Sequence, residues 1–212
     1  MNITQDKILI KRTSKEHIQN ILKENLDWKI LDIGCGYNAN PLANVICDIQ
    51  DLSNHYKDKK FIRLNSNENK LPFKDKEFDF VIASHVLEHV RDFKTFISEI
   101  ERISNQGYIE VPTKLEDNLV FENKIDHIWH MDFDDVNQNL EISPRYQVLE
   151  PVLTVSSIKK FNEYFKKSFI LELYWSDKIN YVFLENKKDF KKLSVLNLFK
   201  KYFSKKLRMF FK

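Results

Sequence analysis

The sequence predicts an α/β fold, a doubly wound and mostly parallel sheet of seven strands whose last strand runs antiparallel. Three observations predict it. Short apolar runs recur that are continuous rather than alternating, as strands covered on both faces require. Amphipathic helical stretches fall between or beside them. And 212 residues, 42% apolar and 13% aromatic, are enough for one ordinary domain with a real core.

Each element follows from its pattern. Ser14 to Leu26 places Ile18, Ile21, Leu22 and Leu26 at helical spacing behind a capping serine, with Glu16 early and a lysine late. Strands are expected at 29–33, 44–49, 61–64, 78–83 and 108–111. Between the fourth and fifth, Phe93, Phe96, Ile97, Ile100 and Ile103 mark a helix over 92–104. A further helix spans 156–167, with Ile158, Phe161, Tyr164 and Phe165 on one side. Two last strands, 169–175 and 180–184, are separated only by Ser-Asp-Lys, which reads as an antiparallel pair. Residues 112–154 fit neither period and read as an insertion, so the body is one domain, 1–186, followed by a tail, 187–212.

Composition narrows the function. The chain has three glycines, where the usual 7% gives about fifteen. That excludes collagen, P-loops and G-x-G-x-x-G cradles, which need several glycines close together. No apolar leader opens the chain and no segment approaches the ~20 apolar residues of a membrane span, so a cytoplasmic location is expected. Cys35 and Cys47 lie in apolar stretches, which suits reduced, buried thiols. The net charge of +3 is divided unevenly: residues 187–212 hold ten Lys/Arg and one acid, leaving the body at minus six.

The chemistry concentrates at Ile30-Leu31-Asp32-Ile33-Gly34-Cys35-Gly36, an apolar strand running into an acid and a glycine pair. Glycine serves there where a ligand must approach the backbone closely or a turn needs positive φ. Asp48, at the end of the next strand, is placed to accept the hydroxyls of a ribose. Leu71-Pro72-Phe73, Phe78-Asp79-Phe80-Val81, Ser84-His85-Val86-Leu87-Glu88-His89-Val90 and Gly107-Tyr108-Ile109-Glu110-Val111-Pro112 follow in order.

This ordered set resembles the class I S-adenosylmethionine-dependent methyltransferases, specifically the type 11 group, over residues 28 to about 113. The resemblance implies a Rossmann-like fold and S-adenosylmethionine as cofactor. By it, Gly34, Cys35 and Gly36 pass the methionine end, Asp32 holds the loop and meets the amino group, and Asp48 takes the ribose. Asn67 and Glu68 fall where an acid accepts the adenine amino hydrogens, and Ser84 and His85 supply backbone and walls beneath the sulfonium. Two departures stand out. Asn38 replaces the usual third glycine, which Asn tolerates through its access to the left-handed region. Ile33 and Val45 are also separated by only eleven residues, Pro41 among them, so the first crossover helix is expected to be a turn or absent.

Methyl transfer to oxygen needs a group to take the acceptor's proton. Asp126-His127-Ile128-Trp129-His130 resembles an E-H-R-W segment of a subgroup of these enzymes, which makes His127 the candidate base, with His85 and Glu110 completing the catalytic set and Thr113 orienting substrate. The competing reading has His127 and His130 tie down the insertion. His85-Val86-Leu87-Glu88-His89 matches the H-x-x-E-H of one zinc peptidase group, but that pattern belongs in a long helix and here follows a strand. No metal is expected.

In the tail, Leu193, Leu196, Phe199, Phe203, Leu207 and Phe210 fall within about 120° of a helix, with Lys201, Lys205, Arg208 and Lys212 opposite or beside them. Such a helix suits an anionic membrane surface at the inner face, and a glycan or lipid-linked acceptor as much as a small molecule. Its aromatics face the apolar side rather than interleave with lysines, so nucleic acid is not expected. The alternative function is a degenerate methyltransferase fold acting as a scaffold.

Overall fold

The computed structural model describes residues 9–65, 67, 68, 70–185 and 192–211. In chain order its elements are β1 (Ile10–Arg12), α1 (Lys15–Glu24), β2 (Ile30–Ile33), β3 (Val45–Asp48), β4 (Lys60–Arg63), β5 (Phe80–Ser84), α2 (Phe93–Ile103), β6 (Gln106–Pro112), α3 (Lys114–Leu119), α4 (Asn123–Asp126), β7 (Trp129–Asp134), β8 (Asn139–Pro144), α5 (Val155–Phe169), β9 (Ile170–Ser176), β10 (Tyr181–Phe183) and α6 (Val195–Phe210). A seven-stranded sheet runs β1-β9-β6-β5-β2-β3-β4, parallel except for β9, which is antiparallel to both its neighbours. A second sheet has three strands in the order β10-β8-β7.

The helices form where periodicity and caps coincide. The Ser14 side chain accepts the His17 N–H at 3.1 Å, and α1 buries Ile18 and Leu22. Leu26 lies past the helix end and is exposed. Asp92 caps α2 by accepting the Thr95 N–H, and Phe93, Ile97, Ile100 and Ile103 turn inward. The core has two faces. α2 and the small sheet cover one, where Met131, Phe133, Leu140 and Ile142 join Leu31, Val81 and Ile109. α1 covers the other, against Ile30, Ile46, Phe80 and Tyr108. Residues 112–154 therefore contribute Met131, Phe133, Leu140 and Ile142 to the core, although no single period runs through them.

Three expectations need correction. Residues 180–184 do not extend the main sheet beside 169–175. β10 pairs parallel with β8, while the edge of β9 is taken by β1, with Ile10 opposite Trp175 and fully buried. Aromatic packing draws β10 away: Phe93 meets Tyr181 and Phe183 at ring separations of 5.7 and 5.8 Å, and Trp129 meets Phe183 at 6.0 Å. On α5, only Ile158 of the expected apolar face is buried. The helix is interrupted at Phe165, and Phe161, Tyr164 and Phe165 are exposed. Finally, Asn38 does not adopt the left-handed conformation, so its position makes no demand for glycine.

The first crossover is helix-free as its length predicts. Residues 34–44 form turns, and so do 49–59. Backbone groups left without a helix need other partners. Lys59 Nζ donates to the carbonyls of Pro41 and Ala43 at 3.1 and 2.9 Å, and more weakly to that of Asn40 at 3.4 Å. Tyr56 Oη donates to the Gly36 carbonyl at 2.7 Å and accepts the Ala39 N–H at 3.0 Å.

Gly107 shows how tightly the centre is packed. A β-carbon there would lie 2.3 Å from the Val81 carbonyl oxygen and 2.7 Å from Trp175 Nε1. Backbone in the middle of a sheet cannot move aside cheaply, so Gly107→Ala should destabilise the fold by ~3 kcal/mol. Urea unfolding followed by tryptophan emission reads this directly. A loss below about 1 kcal/mol would mean the strands part more easily than their packing implies.

Candidate active site

The C-terminal ends of β2, β3, β5 and β6 carry the candidate residues to one edge of the parallel sheet, where ligands bind in open α/β folds. On the β2–β3 side, buried Asp32 accepts the Asn40 N–H through Oδ2 at 2.7 Å and so holds the crossover. Burial pushes its carboxyl up to about 6, against the lowering effect of that hydrogen bond and of Lys15 and Lys59. Asp48 accepts the Gly36 N–H through Oδ2 and the Gln50 N–H through Oδ1, both at 2.9 Å, and each oxygen keeps a further lone pair.

The two glycines serve different ends. Gly34 has φ +64°, and a β-carbon would meet Val86 Cγ2 at 2.5 Å, so its requirement is internal packing. Gly36 has φ +49° and nothing within 4 Å of where a β-carbon would stand, which leaves open space over its backbone. Between them, Cys35 is buried, and desolvation with the charges of Asp32 and Asp48 pushes its thiol up to about 12. Cys47 is raised as well, chiefly by burial, so neither thiol is a nucleophile near neutral pH. Asn67 and Glu68 are exposed and bonded within their own turn, where Asn65 Nδ2 donates to Glu68 Oε1 at 2.9 Å and Asn65 Oδ1 accepts the Asn67 N–H at 3.1 Å.

Past β5 the chemistry changes to histidines and buried acids. Ser84 ends the strand, and His85 takes a left-handed φ of +55° while its N–H donates to the Glu110 carbonyl at 2.8 Å. Its ring lies between Glu88 (Nδ1 to Oε1, 3.2 Å) and Glu110 (Nε2 to Oε1, 3.5 Å). Burial works against protonation, but the Glu88 hydrogen bond and the charges of Glu88, Glu110 and Glu116 outweigh it and raise the pKa of His85. Glu110 is held low despite its burial by Lys15, the Tyr108 hydroxyl and His85. The Tyr108 hydroxyl lies 2.6 Å from Glu110 and 2.9 Å from Glu172, which Lys166 meets at 2.6 Å. Thr113 caps α3 and donates to the Ser168 carbonyl, a structural role.

His127 ends α4, where its Nδ1 meets Asp117 Oδ1 at 2.6 Å. His130 is fully buried, and desolvation holds its pKa down at about 3, so it stays neutral. Two acids of α3 come to the site without having been expected there. Asp117 orients His127. Glu116 is raised to about 7 by burial, within electrostatic reach of both His85 and His127. The visible signal for them is Thr113-x-x-Glu116, a helix-start pattern that locates a helix but says nothing of burial. The H-x-x-E-H residues lie in a turn rather than a helix, and their histidines do not act as a pair. Instead Glu88 and His89 converge with His127, each offering a ligand atom within 4.8 Å of the others.

Residues 31–109 match a family model described as a methyltransferase domain. An uncharacterized protein of Methanocaldococcus jannaschii is 35% identical over 117 residues, 50% of this chain and 51% of the relative, so the chain spans about half the length of that curated relative. Among solved structures, an S-adenosylmethionine-dependent methyltransferase from Methanosarcina mazei is 18% identical, with a TM-score of 0.45 over 80% of this chain and 100% of its own. One from Mesorhizobium loti is 12% identical, with a TM-score of 0.43 over 75% of this chain and 96% of its own. The matched span holds the glycine loop, Asp48, His85, Glu88 and His89; Glu110, Glu116, Asp117 and His127 lie beyond it.

The burial of Asp32 has a measurable sign. An acid whose pKa rises on folding binds more protons folded than unfolded, so stability falls as pH climbs from about 4 to about 6 and is level above. Asp32→Asn, which keeps an acceptor for Asn40, should remove that fall. Urea denaturation at pH 4 and 7.5 should show the variant gaining on the parent by up to ~3 kcal/mol. Parallel stability curves would show that Asp32 titrates as it does unfolded.

Proposed function

We infer that this chain, whose residues 31–109 match a methyltransferase domain model, is a class I S-adenosylmethionine-dependent methyltransferase that moves a methyl group to an oxygen of a small-molecule, glycan or lipid-linked acceptor. The observation that carries the cofactor side is Gly36, a left-handed residue with open space over its backbone, flanked by Asp32 and Asp48 at the two strand ends. A buried carboxyl with its pKa raised to about 6 gains from a cationic neighbour, as the methionine ammonium would be. Asp48 keeps lone pairs for ribose hydroxyls, and Ser84 and His85 wall the methyl end. Adenine recognition by Asn67 and Glu68 would require their turn to exchange its internal hydrogen bonds. When bound, the cofactor supplies an electrophilic methyl group.

The acceptor side is read from charge. His85, flanked by Glu88 and Glu110, favours its protonated form and suits orientation of an acceptor rather than proton removal. His127 donates from Nδ1 to Asp117, which leaves the Nε2 lone pair to meet the acceptor's proton. Isothermal titration should show S-adenosylhomocysteine binding at one site. Gly36→Asn fills the open space with a residue that tolerates its φ and should weaken binding at least tenfold while stability changes little. His127→Ala should keep binding but lose turnover. Binding to the parent with no methylated product from any cell fraction would favour the scaffold alternative, and no binding at all would end the methyltransferase reading.

The tail extends the reading to location. No described helix is long and apolar enough to cross a membrane. α6 has no buried residue, and Leu196, Phe199, Phe203, Leu207 and Phe210 are all more than half exposed. Of the tail, 187–191 and Lys212 lie outside the described residues. Lys201, Lys205 and Arg208 occupy the opposite arc, and Lys206 lies over the Tyr202 ring at 5.4 Å. With no acid from Phe190 onward, the same helix of a second copy would repel it, whereas an anionic bilayer meets both its faces. The chain should co-sediment with vesicles containing phosphatidylserine and lose this in Phe199→Ser/Phe203→Ser. Equal binding to neutral vesicles would remove the electrostatic part, and preference for RNA over vesicles would replace it.

A further inference from the structure

We propose that Glu88, His89 and His127 form a binding site for a divalent transition-metal ion. They come from two loops, the turn after β5 and the end of α4, and a ligand atom from each lies within 4.8 Å of the other two. Proximity alone would carry little, since polar groups cluster on many surfaces. Three further features point to an ion.

First, both imidazoles carry hydrogen bonds that suit them as ligands. His89 Nδ1 lies 3.0 Å from the Asp126 carbonyl oxygen, and His127 Nδ1 lies 2.6 Å from Asp117 Oδ1. An oxygen acceptor on Nδ1 holds the proton there and leaves Nε2 with its lone pair, as in metal sites where a carboxylate or carbonyl backs the ligating histidine. Neither Nε2 makes a hydrogen bond among the described residues. The two rings meet edge to face, 4.6 Å between centroids. Second, Glu88 is 1% exposed, and its Oε2 is buried without a hydrogen-bond partner. A buried carboxylate oxygen left unpaired is costly. A cation answers it. Third, the loops are already locked. The Ile128 and Trp129 N–H groups donate to the Glu88 carbonyl at 2.9 and 3.4 Å, which fixes the ligands relative to one another before any ion arrives.

The donor set selects the class of ion. Two imidazoles and one carboxylate suit zinc, manganese, iron or cobalt better than magnesium or calcium, which prefer oxygen. Three protein ligands leave positions open, and His89 is exposed, so the open side faces solvent. If the chain is a methyltransferase, an acceptor oxygen could take that position. The ion, in place of His127 Nε2, would then acidify it, with the proton lost to water. That last role alone rests on the proposed function; the site does not.

The test uses the full chain, stripped with a chelator and titrated with Co2+ while visible absorption and heat are followed. One saturable equivalent is expected. His89→Ala, at an exposed position, and Glu88→Gln should each weaken it at least tenfold, and Asp117→Asn should also weaken it, by loosening His127. His17→Ala, on exposed α1, should leave it unchanged. If Glu88→Gln fails to fold by circular dichroism, His89→Ala decides. Absence of saturable binding, or equal affinity in parent and His89→Ala, overturns the site. S-adenosylhomocysteine titrated in parallel separates the two readings. Its binding without Co2+ overturns only the metal site, and Co2+ binding without it supports the site and counts against methyl transfer.

Discussion

Two buried carboxylates at neighbouring strand ends hold the glycine-loop half of this molecule in place. A parallel pair of strands is normally joined by a helix whose own hydrogen bonds satisfy its backbone. Here eleven residues make the connection in turns, and Asp32, Asp48, Tyr56 and Lys59 supply partners from their side chains. The path of the loop is thus set by charged and phenolic groups. That ties the shape of the glycine turn to the ionisation of Asp32, which burial keeps close to the neutral range.

The other half depends on the reverse arrangement, in which acids outnumber the bases able to answer them. Glu88, Glu110, Glu116 and Asp117 are all buried, and histidines lie among them. Glu110 is settled by Lys15 and Tyr108, and Asp117 by His127. Glu88, Glu116 and, on its second oxygen, Asp117 each retain a buried oxygen with no hydrogen-bond partner. Such a cluster costs stability unless protons or cations offset it, and persistent cost at one sheet edge is the pattern expected where folding has been subordinated to chemistry.

Most of the sheet and the whole glycine loop are legible in the sequence because their information is local. Continuous apolar runs announce β2, β3, β5 and β6, and Asp32, Gly34, Gly36 and Asp48 lie in or just after two of them. The missed parts are those decided by distant partners. β1 has three residues, too few for any period, and exists because β9 offers it an edge. The alternation Met131-Asp132-Phe133-Asp134 is real but too short to stand out in acid-rich surroundings. Residues 180–184 are correctly strand-like, yet which sheet they join depends on Phe93 and Trp129. Glu116 and Asp117 look like ordinary acids at the start of a helix, and only their burial makes them part of a site.

The main sheet ends in β1 on one side and β4 on the other. Exposed basic residues occupy both: Lys11 and Arg12 on the first, Lys60 and Arg63 on the second. Short, charged edges resist pairing with a strand from another molecule. A chain with seventeen phenylalanines and an uncovered apolar helix is at evident risk of aggregation, and these edges close the most dangerous route to it. Association is thereby steered away from backbone pairing and toward side-chain surfaces, where charge decides what may adhere.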